Sequence, residues 1–413
     1  FVRGGGNDVG ARYTPRLVAQ ACVAADTVIR RTYLGLHKLI EEECGRTDVP
    51  LAITEYNGHF VQEDPVPYRQ SLAVALRNAD HLRVMLDPSM RILMANFWQF
   101  SNEYWGMVRG YTHASEPLVK QANFFVYQLY HEHFGDELLA SKVDCDRWDF
   151  EGACWVPARR GQGQEYRLFE DNLYQGQTWR ISEAPEVEQH LEEDGRVLSV
   201  QFKGGQFNYY HASIELPAEP LTGYRLTGWI KTQELEATQG AGFQVGDARG
   251  WEATQSCSLG GDVRGTQDWV KVVVDYVTLP DTQGITIQAR RLDLKDTCSG
   301  KAWWRVESVQ RFQPEVMPGV PYVEAVASRR RADGALGVML IHKDLDANTP
   351  VTLSVSGKPV KAARAWALIG PTPEANNLGP ERAIGISEVR CEVVGTSARL
   401  TLPKFSVVAV ELR

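Results

Sequence analysis

The residues best suited to chemistry close a short apolar run, Val49-Pro50-Leu51-Ala52-Ile53-Thr54-Glu55-Tyr56-Asn57. A carboxylate ends the run, with an aromatic and an amide directly behind it. A buried parallel strand delivers an acid to the open end of an α/β barrel in this way. Such a carboxylate can serve as nucleophile, proton donor or proton acceptor. Glycoside hydrolysis needs two, about 5–5.5 Å apart in a retaining enzyme. An acid that only caps the next segment has the same local sequence, so position alone does not separate the two roles. Glu55 also comes early, with only 54 residues before it. If it is catalytic, the chain is expected to carry only part of its active site.

Other clusters are weaker. Gly4-Gly5-Gly6 lacks the Lys-Ser/Thr of a phosphate loop and fits a loop leaving a strand. His131 and His133, two apart on a helix, point to different faces and make no metal signature. No two of the seven cysteines form a C-x-x-C pair, which argues against structural zinc. Cys145 with Cys154 and Cys257 with Cys298 suit either local disulfides or free thiols. Asp247 and Asp293 could hold a structural calcium. The net charge of −8 and the lack of a basic stripe exclude a nucleic-acid partner. No apolar run approaches the roughly 18 residues of a membrane span.

Three regions position these groups. Residues 1–140 alternate helix and strand: helical spacing over Pro15–Glu43, Pro67–Met85 and Pro117–Phe134, and strands ending at Glu55 and Phe97. These are parallel α/β units. Two strands cannot close a barrel, so the apolar helix faces are expected to lack partners within the chain and to promote aggregation. Residues 145–315 lose helical periodicity and read as short strands separated by Gly, Asp and Pro, a β-jelly roll or sandwich. Residues 320–413 read as seven further short strands, a second and smaller β-sandwich.

Four segments in order resemble glycoside hydrolase family 51, the α-L-arabinofuranosidase family of retaining (β/α)8 enzymes. Pro50 to Asn57 looks like its strand-seven nucleophile motif. Ala73–Leu82 with Ile92-Leu93-Met94-Ala95-Asn96-Phe97-Trp98-Gln99 resembles its strand-eight segment. Pro117–Leu139 resembles its last barrel helix. Val326-Ala327-Ser328, Asp333-Gly334, Leu402-Pro403 and Ser406-Val407 resemble its C-terminal β-sandwich. The resemblance covers roughly the first 137 and last 95 residues.

The resemblance implies α/β plus all-β architecture: the C-terminal part of a (β/α)8 barrel, an inserted jelly-roll module and a C-terminal sandwich. Glu55 would be the nucleophile, Gln99 and Asn96 would reach the sugar, and Tyr56 and Asn57 would line the mouth. The family's acid/base glutamate, in an Asn-Glu pair, is missing. Asn102-Glu103 imitates that pair but follows the nucleophile in chain order and reads better as a rim loop. The N-terminal half of the barrel would be a companion chain or a further segment. No metal or cofactor is required. The middle region resembles carbohydrate-binding modules of the family 4/9 type, with Tyr209, Tyr210, Trp251 and Trp303 as aromatics that could stack on sugar. The implied ligand is a plant polysaccharide or oligosaccharide, with homo-oligomers allowed and a secreted or periplasmic setting favoured. Two rival readings are an endo-β-1,4-glucanase or xylanase of the same family and a non-catalytic carbohydrate-binding protein.

Overall fold

A computed structural model describes residues 14–58, 67–110, 118–154, 168–254, 256–292 and 297–413. They fall into two compact units, residues 14–151 with 317–413, and residues 152–316. The Gly4–Gly6 loop and Asp293 lie outside the described residues.

In the first unit, helix α1 (Pro15–Cys44) starts where Thr14 Oγ1 accepts from Leu17 N, with Pro15 in the first turn. It ends at Gly45, whose φ of 65° allows the left-handed cap. Strand β1 (Leu51–Tyr56), helix α2 (Leu72–Leu86), strand β2 (Ile92–Phe97) and helix α3 (Ala122–His133) follow. β1 and β2 pair in parallel. Val119–Lys120, expected within the third helix, is instead a two-residue strand paired with Val108–Arg109, and the helix starts at Ala122.

The helices do not lack partners, contrary to the sequence expectation. A six-stranded antiparallel sheet covers them, ordered Gly385–Val389, Ala363–Ile369, Ser406–Leu412, Leu336–His342, Val323–Arg329 and Glu137–Leu139. Met339, Ile341, Val407 and Ala409 share a core with Leu72, Leu76, Val126 and Leu129. The alternate residues Val338, Leu340, Val408 and Val410 pack with Ala398, Leu400 and Leu402 of a three-stranded sheet. A strand buried on both faces reads as a continuous apolar run. Segments separated by most of the chain therefore complete one core.

The strands β1 and β2 correct a second expectation, because they are not buried on both sides. Leu51, Ile53, Ile92, Ala95 and Phe97 pack towards Ala25, Ile29, Tyr33 and Val84. Leu93 is 73% exposed on the other face.

Five ionisable groups join the helices to the sheet. Lys343 Nζ lies 3.0 Å from Asp26 and 2.6 Å from Asp80. Arg83 bridges Asp26, Asp80 and Glu324 at 3.1, 2.6 and 3.2 Å. Burial opposes the Asp80 charge, yet Arg83 and Lys343 hold its carboxyl below the usual range. Burial and the charge of Asp80 push Asp26 upward.

In the second unit, two antiparallel sheets enclose one core. One contains Gly265–Val277, Gly223–Glu236, Cys298–Phe312, Val197–Gly205 and Val187–Glu192, with Leu168–Asn172 at Cys298–Phe312. The other is ordered Cys257–Val263, Ala241–Asp247, Gly284–Arg290, Ala212–Pro217 and Arg180–Ile181. Trp304 is fully buried between them, and its Nε1 donates to Gly242 O at 2.8 Å. Cys145, Cys257 and Cys298 are free thiols. Cys257 and Cys298 sit on different sheets and take the free-thiol alternative of the two.

Candidate active site

Glu55 is the penultimate residue of β1, where the pairing with β2 shifts register between Ile53 and Tyr56. The shift breaks the alternation: Thr54 and Glu55 are both exposed, and Tyr56 turns inward. Glu55 thus lies on the face away from the helices, as does the exposed Asn96 of β2. Gln99 is half-buried just beyond β2, after a cis Trp98–Gln99 peptide. The side chains of Glu55, Asn96 and Gln99 make no hydrogen bond to a described residue.

Tyr56 and Asn57 behave differently from the expectation that they line the mouth. Tyr56 is buried, its hydroxyl bonded to that of Tyr127 and its ring edge-on to His81 and Phe97. Burial raises the Tyr56 pKa. His81 is pushed down to about 3 by burial and by the charge of Arg77, so it is neutral and shares a 2.6 Å hydrogen bond with the Tyr33 hydroxyl. Asn57 Nδ2 donates to Trp98 O at 2.6 Å, tying the end of β1 to the end of β2. Its Oδ1 accepts from Gly58 N and from Asn78 Nδ2. Asn78 in turn donates to Asn123 Oδ1 at the start of α3. The amide of Asn57 is consumed in fixing the two strand ends. Both side chains are spent on holding the end of β1 in place.

The supporting groups Asn78, His81, Asn123 and Tyr127 escaped the sequence reading. The available signal was a polar pair three apart, Asn78 and His81, in a helix that also carries Arg77, Asp80 and Arg83.

Glu103 has a local role. Its carboxylate accepts from Gly110 N at 2.9 Å and from Arg109 Nε at 3.2 Å. Asn102 Oδ1 accepts from Tyr104 N and Trp105 N, which shapes the turn. This turn leaves Tyr104 47% exposed, with the Arg69 guanidinium 3.8 Å from its ring centre. Trp98 and Phe100 are also exposed, giving an aromatic rim beyond β2.

In the second unit, Tyr209 is fully buried against Phe202 and Trp304, and its hydroxyl donates to Gln189 Oε1 at 2.6 Å. It is a core residue and cannot stack on sugar, in contrast to the expectation. Tyr210 and Trp251 are exposed. Trp303 is half-buried, with Lys301 Nζ 4.6 Å from its ring centre. Asp247 accepts from Arg249 and from Thr282 Oγ1, so its carboxylate is engaged by neighbouring side chains.

Residues 54–406 match the family described as α-L-arabinofuranosidase C-terminal domain. The chain belongs to that family. The match to the arabinofuranosidase C-terminal domain begins one residue before Glu55 and spans both units. No curated protein sequence matches the chain. Among solved structures, the GH51 α-L-arabinofuranosidase from Thermotoga petrophila RKU-1 is similar at 13% identity and a TM-score of 0.46, over 94% of this chain and 49% of that one. The GH51 arabinofuranosidase from Xanthomonas axonopodis pv. citri is similar at 11% identity and a TM-score of 0.47, over 100% of this chain and 50% of that one. The arabinofuranosidase C-terminal domain chain thus spans about half the length of these structures.

Proposed function

We propose that the chain is the C-terminal part of a retaining glycoside hydrolase that releases α-L-arabinofuranosyl residues from plant hemicellulose. The observation that carries this reading is the exposed, unengaged Glu55 at the end of β1, on the same face as Asn96 and inside the family match. In this reading β1 and β2 are the last strands of a (β/α)8 barrel, and their exposed face looks into it. The carboxylate of Glu55 attacks the anomeric carbon as the glycosidic C–O bond breaks, forming a covalent glycosyl-enzyme. A second carboxylic acid protonates the leaving oxygen. It then takes a proton from water, which attacks the anomeric carbon, frees the sugar and restores Glu55. Glu103 is bound to Arg109 and Gly110. We assign the acid/base role to a residue outside those described, supplied by an N-terminal half-barrel in the same or a companion chain. The second unit is read as a carbohydrate-binding module.

The test uses the complete enzyme. Glu55→Gln should lower kcat on an aryl α-L-arabinofuranoside by about 10³-fold or more, with little change in melting temperature. In Glu55→Ala, sodium azide should restore turnover and give a glycosyl azide. An unchanged kcat sinks the assignment of Glu55. Release of oligosaccharides from arabinoxylan without free arabinose would favour an endo-acting xylanase instead.

A further inference from the structure

The outer face of the five-stranded sheet carries a hydrogen-bonded row of polar side chains beside an open cleft. Arg290 Nε donates to Gln244 Oε1 at 2.8 Å, and its Nη1 donates to Asn208 Oδ1 at 2.8 Å and to Tyr209 O at 3.0 Å. Gln244 Nε2 donates to Gln288 Oε1 at 2.8 Å. Across the sheet, Gly242 pairs with Arg290, so the residue opposite the guanidinium has no side chain. A Cβ there would come within 2.7 Å of Gly260 O, in a space the backbone leaves narrow. A shallow, solvent-open cleft results, lined by Gly242, Leu259, Gly260, Asp262 and Arg290 among others.

Three features suit this cleft to a ligand. Arg290 is held by neutral groups, with no carboxylate paired to it among the described residues, and its Nη2 makes no hydrogen bond to any of them. Burial pushes the pKa of this guanidinium down, yet a guanidinium stays charged. The two hydrogens of Nη2 are therefore preorganised donors for a ligand's oxygens. Tyr210, 48% exposed, has its ring centre 5.5 Å from the guanidinium, and Leu259 is 45% exposed. Adjacent polar donors and an apolar ring are what a sugar, with its hydroxyl rim and C–H face, requires.

We propose that this cleft and the sheet face beside it bind a stretch of neutral polysaccharide, with Arg290 and the second Nε2 hydrogen of Gln288, whose first reaches Tyr210 O at 3.4 Å, donating to hydroxyls and Tyr210 packing on a ring face. Asp262 in the same cleft is paired with Arg264, and the chain's net charge of −8 disfavours an anionic polymer. The proposal rests on the reading of the second unit as a carbohydrate-binding module and adds the face, the residues and the ligand's charge.

Affinity electrophoresis of the full chain in gels containing arabinoxylan, hydroxyethyl-cellulose or polygalacturonate tests it. Retardation by at least one neutral polymer and none by polygalacturonate is expected. Tyr210→Ala and Gln288→Ala should each weaken that affinity about tenfold, the loss of one good polar or stacking contact. Trp303→Ala, on the other sheet, should not. Arg290→Met should abolish binding; the other two variants carry the test because Arg290 also braces the sheet. Retention that survives Tyr210→Ala and Gln288→Ala, or is lost in Trp303→Ala, overturns the placement while the module reading stands. Retention by polygalacturonate alone overturns the neutral ligand. No retention by any polymer overturns both the cleft and the module reading.

Discussion

Two neighbours in sequence, Glu55 and Tyr56, have opposite fates. The register shift after Ile53 exposes Glu55 and buries Tyr56, so an open carboxylate and a buried hydroxyl are separated by one peptide unit. Tyr56→Phe should cost about 1–3 kcal/mol in denaturant unfolding, because the Tyr127 hydroxyl loses its buried partner. It should leave KM for an arabinofuranoside unchanged; a raised KM would return Tyr56 to the sugar-contacting set. His81 adds a pH dependence. Its pKa in the fold, about 3, lies below that of an unfolded histidine near 6.5. The unfolded chain therefore binds the proton first. The stability His81 allows above about pH 6.5 falls as pH drops towards 3, by about 1.4 kcal/mol per unit. Against a His81→Gln variant, the wild-type unfolding free energy should show this extra slope, and parallel curves would refute it.

At the scale of elements, the helices and the six-stranded sheet are joined by apolar packing and by one buried ionic cluster. Lys343 has no exposed side-chain surface and sits between Asp26 and Asp80. Lys343→Met should cost about 3–5 kcal/mol, since two buried carboxylates lose their shared cation. The fit of α3 on the sheet is equally close. A Cβ on Gly337 would lie 2.1 Å from His133 O, at the end of that helix. Gly337→Ala should therefore destabilise by about 1–3 kcal/mol. Near-neutral values in chemical denaturation would mean that the helix end can move away from the sheet. The helices α1 and α2 and both strands were legible in sequence because periodicity and caps are local signals. Strands Glu137–Leu139 and Gly385–Val389 were missed, being edge strands with short and mixed patterns.

At the scale of the whole molecule, two units with separate cores predict two calorimetric transitions. Lys343→Met should shift only the transition of the unit containing α1 to α3. A single transition that moves as a whole would show that the units unfold together.

The sequence by itself determined the strand that carries Glu55, the helical periods, the β character of residues beyond 145 and the order of motifs that marks the family. All of these are carried by neighbours within a few residues of one another. Tertiary structure decided what no local window contains. It chose which of Tyr209 and Tyr210 is core, since alternation fixes opposite faces but not which one is buried. It consumed the amide of Asn57 through Trp98, Asn78 and Gly58. It also gave the helices their partner in strands beginning near residue 323, because burial depends on which apolar faces meet, and that is set by contacts far apart in the chain.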